Sequence, residues 1–178
     1  MPHRILVPNW AFLSLLLPAV LFGDSLPRIE GENLAGKAVV LPDAASGRVA
    51  ILVAGFSHAS QNQTKAWSDR LDHEFTDPAK VTVYPVAVLE AVPRLVRGMA
   101  VHGIKSGAPK EERERFLLVF HKSAELKQAA GFERPDDAYL ILVDATGAVR
   151  WRFHGSLTDS ALMQLEAQVQ SIESPVAQ

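Results

Sequence analysis

Two apolar runs with almost no polar interruption, "RVAILVAGF" at Arg48–Phe56 and "VTVYPVAVL" at Val81–Leu89, constrain this chain more than anything else in it. A strand with one face in water alternates polar and apolar residues, whereas a run without alternation suits a strand covered on both faces, as in a parallel sheet. Between the two runs, Trp67, Leu71 and Phe75 recur at i, i+4 and i+8 and form one stripe on a predicted helix from about Gln61 to Phe75. Asp77-Pro78 stops that helix. Two parallel strands need a crossover of this length, and the crossover is right-handed.

The remaining segments extend the pattern. "LPRIEGENLAGKAVVLPD" reads as an extended lead-in with turns at Gly31 and Gly36 and a strand near Ala38–Leu41. A helix is expected around Val92–His102, and a third strand at Phe116–His121. A short helix follows, with Ser123 as its N-cap and Gly131 just past its end. "AYLILVDATGAVRWRFHG" makes a hairpin that turns through Asp144–Gly147 and returns through His154. A last helix from about Asp159 carries Leu162, Leu165, Val169 and Ile172 on one face. The fold class is α/β, with a mixed central sheet and helices on both faces, and the order of elements resembles a thioredoxin-like domain.

In that fold the turn after the first buried strand carries two reactive cysteines. Here it reads "GFSHASQNQTKAW", Gly55–Trp67, and the chain has no cysteine at all. Counted from Phe56, the two thiols would fall at Gln61 and Thr64, or with a one-residue shift at Ser60 and Gln63. Neither hydroxyls nor amides cycle through a disulfide, so thiol–disulfide exchange and sulfenic-acid chemistry are unavailable. Ser60 and Gln63 have the spacing of a capping box, in which each side chain would satisfy a free backbone donor of the other. A helix N-terminus can also receive an anion, which makes His58, Ser60, Gln61 and Gln63 candidate contacts for a partner or ligand. The position before the final hairpin, where thioredoxins place a cis-proline, is Ala138, and Pro135 lies three residues too early.

Arg97–Arg115, Phe116–His121, Ser123–Gly131, "YLILVD" at Tyr139–Asp144 and Val149-Arg150-Trp151 together resemble the assembly-factor family for the Fo sector of mitochondrial ATP synthase. The resemblance spans roughly residues 45–172. It implies a protein-binding assembly or chaperone-like factor. The chain departs from the family at Arg152-Phe153-His154, where members carry small residues, and at its N-terminus. There, Arg4 precedes an apolar segment, Ile5–Phe22, ending at "GDSLPRIEG". This is the layout of a bacterial-type signal peptide or N-terminal anchor over residues 1–25, with the domain over 26–178. Export to the periplasm, or anchoring to a membrane, is the expected location.

A net charge of −2 and a pI near 6.3 give no basic surplus for phosphate backbones, so nucleic acid is not an expected partner. No cofactor motif occurs. The six histidines include no pair at i, i+4 on a predicted helix, and Ser57-His58 lacks a Gly-x-Ser-x-Gly turn. The most charged segment, "KSGAPKEERER" at Lys105–Arg115, has Pro109 placed as the first residue of a helix with Glu111 and Glu112 behind it. Lys105, Arg113 and Arg115 there, and Arg150 on the returning strand, complete the candidate contacts. The expected function is non-catalytic binding of another protein; the other reading is a small-ligand or metal-binding module using the Ser57–Thr64 turn.

Overall fold

The computed structural model describes residues 24–174; the expected signal or anchor lies, but for Asp24 and Ser25, outside them. Seven strands form one sheet: β1 (Ile29–Asn33), β2 (Ala38–Leu41), β3 (Val49–Gly55), β4 (Val81–Val88), β5 (Leu117–Val119), β6 (Ala138–Val143) and β7 (Val149–His154). Their order across the sheet is β2-β1-β5-β4-β3-β6-β7. Strands β3, β4 and β5 run parallel, while β1, β2, β6 and β7 pair antiparallel with their neighbours. Four α-helices, α1 (Gln61–Glu74), α2 (Arg94–Gly107), α3 (Ser123–Ala130) and α4 (Asp159–Glu173), and one 3-10 turn at Asp43–Ala45 complete the described fold.

The apolar runs lack alternation because both faces of the sheet are covered. From β3, Val49, Ile51 and Val53 pack with Trp67 and Leu71 of α1 and with Leu162, Leu165 and Val169 of α4. The intervening Ala50, Leu52 and Ala54 pack on the other face with Leu126 and Ala129 of α3, and with Leu26, Ile29 and Leu41 from the lead-in. Strand β6 divides in the same way, with Leu140 and Leu142 toward α1 and α4, and Tyr139 and Ile141 toward α3. A small third cluster of Leu34, Leu89, Ala108 and Leu118 lies under α2, which contributes only half-buried Val101 and Ile104.

Three local expectations are corrected. Gly31 is no turn: it sits inside β1, where a Cβ would lie 2.5 Å from the Leu118 carbonyl oxygen, so close strand packing explains the glycine. Pro109–Arg115 forms successive turns, not a helix, with Arg115 and Phe116 both donating to the Glu112 carbonyl. Ser123 begins α3, and the residue before it, Lys122, adopts a left-handed conformation (φ 57°). The Glu90 carboxylate accepts from the amide and hydroxyl of Ser123, and so satisfies that helix end from outside. At its other end Gly131 is left-handed (φ 65°) as expected, and the amides of Gly131 and Phe132 close the last turn.

The chain enters the sheet beside the final hairpin. Leu26 donates to the Gly147 carbonyl, Val149 donates to the Asp24 carbonyl, and Arg152 pairs with the Asp24 carboxylate at 3.0 Å. Ser25 bridges Ala148.

Candidate functional site

The end of β3 and the start of α1 meet the end of β7 and the loop before β6. Gly55 pairs with Ala138, and Tyr139 with His154, so the Phe56–Gln63 turn, the Phe132–Asp137 loop and the end of the hairpin share one rim of the sheet. The side chains of Ser57, Ser60 and Gln63 all bond within the chain. Ser60 is fully buried, and its hydroxyl donates to the Ser57 carbonyl at 2.9 Å. The Ser57 hydroxyl accepts from the Ser60 amide at 3.1 Å and donates to the Asp136 carboxylate at 2.9 Å.

The capping box does not form. A capping side chain requires its own backbone to be extended, but Ser60 is already helical at φ −71° and ψ −11°. Its Oγ turns inward, where a Cβ on Gly55 would lie only 2.7 Å from it. Gln63, freed from the box, reaches across the sheet end and accepts from the Ala138 amide at 3.3 Å. The Ala138 carbonyl accepts from Gly155, whose own carbonyl accepts from the Trp67 indole at 3.0 Å. The strand edge at Ala138 is therefore occupied by the side chain that stands near the second missing thiol.

Aromatic rings fix the loop beside this turn. The buried Tyr139 hydroxyl accepts from the amides of Glu133 and Arg134 and donates to the Arg134 carbonyl, all within 2.9 Å. Phe56 meets Phe132 and Tyr139 edge-on, with Lys127 over the Phe132 ring. His154 stacks on Tyr139 and lies 2.8 Å from the Asp137 carboxylate and 3.6 Å from that of Glu133. Among the described residues no group of three His, Asp or Glu side chains is arranged to hold a metal ion.

The candidate contacts separate into several places. His58 and Gln61 are exposed at the turn, beside buried Ser60 and half-buried Gln63. Lys105 is exposed near the end of α2, and its carbonyl accepts from Arg113. Arg115 is committed to structure: it grips Asp72 through two nitrogens and donates to the Val83 carbonyl. It lines a cleft of about 440 Å³ with Asp72, Phe75, Pro109 and Glu112, away from the turn. Burial first, and the charge of Asp72 next, push the Glu112 carboxyl up. Arg150 lies at the opposite end of the sheet, against Asp144. Burial alone would raise the Asp144 carboxyl, but hydrogen bonds from Thr146, the Ala148 amide and Arg150 outweigh it and hold it low.

The helix expected around Val92–His102 forms as α2, but the exposure of its apolar side chains was not anticipated. Leu95 is 95% exposed, Met99 75% and Val96 40%, and the fourth large exposed apolar residue among those described is Met163 on α4, at 62%. A signal was present: the stretch Ala91–Lys110 contains Arg94, Arg97, Lys105 and Lys110 but no Asp or Glu.

A family model of the ATP10 protein matches residues 24–172. The chain belongs to the ATP10 protein family. This is the ATP synthase assembly-factor family that the second-half pattern resembled, and membership implies protein partners. No curated protein sequence matches the chain. Among solved structures, it is similar to the exposed lipoprotein thioredoxin Etrx1 of Streptococcus pneumoniae, with a TM-score of 0.58 and 15% identity over 80% of this chain and 99% of that one. A thiol-disulfide oxidoreductase from Bacteroides fragilis gives 0.54 and 17%, covering 82% and 99%. BsSco, of a family of cytochrome c oxidase assembly proteins, gives 0.57 and 12%, covering 83% and 94%. At such identities these likenesses show the fold, which is thioredoxin-like.

Proposed function

We propose that this chain is a non-catalytic assembly or chaperone-like factor that binds a subunit of a membrane-embedded ATP synthase, and that it works on the exported side of a membrane or anchored to it. The observation that carries the non-catalytic reading is the Ser57–Gln63 turn. In a chain without cysteine, Ser60 and Gln63 spend their polar atoms on Ser57 and Ala138. A turn kept for redox chemistry leaves its reactive atoms and the opposing strand edge open, whereas this one closes both with its own side chains. Family membership supports a protein client. The Ile5–Phe22 apolar segment supports membrane-side placement. Among the described residues, no helix is long and apolar enough to cross a membrane.

Full-length tagged chain cross-linked in membranes of its own host and purified after solubilisation is expected to enrich membrane-sector subunits of ATP synthase over a tag-only control. Failure to enrich any such subunit overturns the client. Disulfide reduction in insulin, or peroxide consumption, above a no-protein blank overturns the non-catalytic reading.

A further inference from the structure

Helix α2 buries no residue completely, although every other helix of the fold does. Its inner side rests on the small third cluster through Val101 and Ile104, and Arg97 is drawn back by the carbonyls of Val92 and Glu90. Leu95, Met99, His102 and Ser106, at i, i+4, i+7 and i+11, lie along one stripe of the other side and are all exposed. Leu95 and Met99 project from this stripe with no side chain at Gly98 or Gly103 beside them, where an added Cβ would touch nothing within 4 Å. Leu95 and Met99 are the two most exposed large apolar side chains among the described residues of this face.

Its charge is as uneven as its polarity. Four of the 18 lysines and arginines, and none of the 20 acids, fall within Ala91–Lys110, in a chain whose net charge is −2. Arg94 and Lys105 are exposed, and neither side chain has an ion-pair partner among the described residues. Apolar residues projecting from a cationic, acid-free helix suit the boundary between anionic headgroups and acyl chains, which attracts the charges and requires no shape match.

We infer that α2 is a docking face for an anionic lipid surface, with Leu95 and Met99 entering the headgroup–acyl boundary and Arg94 and Lys105 meeting lipid phosphates. The inference rests on the membrane-side placement proposed above, but its test involves no client.

The absence of cysteine permits a local readout. Full chain carrying Ser106→Cys, labelled there with an environment-sensitive fluorophore, is titrated with vesicles of phosphatidylcholine alone or with one-third phosphatidylglycerol. The label is expected to shift to the blue and brighten with the anionic vesicles only, while the same label at Ser171→Cys on α4 stays unchanged. Arg94→Gln with Lys105→Gln should weaken the response about fivefold for each charge removed. Leu95→Ser with Met99→Ser should abolish the blue shift while leaving the melting temperature in place. An unchanged α2 label on anionic vesicles, an equal response at Ser171 or on neutral vesicles, or a lipid-free dimer abolished by Leu95→Ser would each overturn the proposal. The last outcome would assign the face to a second copy.

Discussion

The Ser57–Gln63 turn and the outer face of α2 present opposite surfaces. At the turn, where this fold places its chemistry, the inward polar atoms are paired within the chain and Ser60 has no exposure. On α2, two large apolar side chains stand in solvent beside Arg94 and Lys105, which have no ion-pair partner among the described residues. Burial and hydrogen-bond satisfaction serve a folded chain's own stability, whereas large apolar side chains left in solvent add little to it and, when grouped, mark a contact surface. That difference is the one expected if the turn has become scaffold and the α2 face, as inferred above, is kept for contact.

The comparison breaks if turn substitutions impair binding without loss of stability, or if α2 substitutions impair stability. The largest expected effect is from Trp67→Ala, which empties a fully buried site on α1 and strands the Gly155 carbonyl. About 3–5 kcal/mol should be lost in chemical denaturation. Gly55→Ala forces a methyl against Ser60 Oγ and the Thr64 methyl, and should cost about 1–3 kcal/mol by the same measurement. Gln63→Ala leaves the Ala138 amide buried and unpaired, for about 1–3 kcal/mol, whereas exposed Gln61→Ala should be silent. Equal melting temperatures for the two glutamine variants, with client capture lost in either, would make the turn a working site.

Smaller effects sharpen the contrast. Because its folded pKa is raised, Glu112 binds its proton more tightly in the native state, so its contribution to stability falls as pH rises from the ordinary carboxylate range through the raised value. Glu112→Gln should therefore raise the melting temperature slightly at neutral pH and flatten that part of the stability profile, as read by thermal melts across pH 4–8. Leu95→Ser with Met99→Ser should change stability by less than about 0.5 kcal/mol. A larger loss would mean that α2 leans on these residues and that its outer face is part of the fold.

The buried strands and the helix stripes were legible because burial on two faces and a 3.6-residue repeat write themselves into residue type. Val49–Gly55 and Trp67–Leu71 are examples. Gly31 was not, since a glycine in a turn and a glycine under a crossing carbonyl look alike in one dimension. Ser60 and Gln63 misled for a related reason: their spacing satisfies a capping box, and only the backbone angle at Ser60 and the approach of β6 redirect both side chains. Arg115 and Arg150 read as candidate contacts because their carboxylate partners are set by the fold; Asp72 lies 43 residues from Arg115, and Asp144 meets Arg150 across the final hairpin. The α2 surface was half legible, through its missing acids, but exposure of Leu95 and Met99 is a tertiary property.

The stitching of Asp24, Ser25 and Leu26 to the 144–149 turn fixes where the chain leaves the domain. That turn lies one strand length, roughly 20 Å, from the Ser57–Gln63 rim. Were the domain anchored through the residues preceding Asp24, as proposed above, it would pivot about the hairpin tip, and the rim with His58 and Gln61 would be the far end of a lever and sweep the widest arc. Grip through α2 as well would remove that swing, because a body held at two separated points can rock about the line between them but cannot spin. The leash would then set reach and the helix would set orientation.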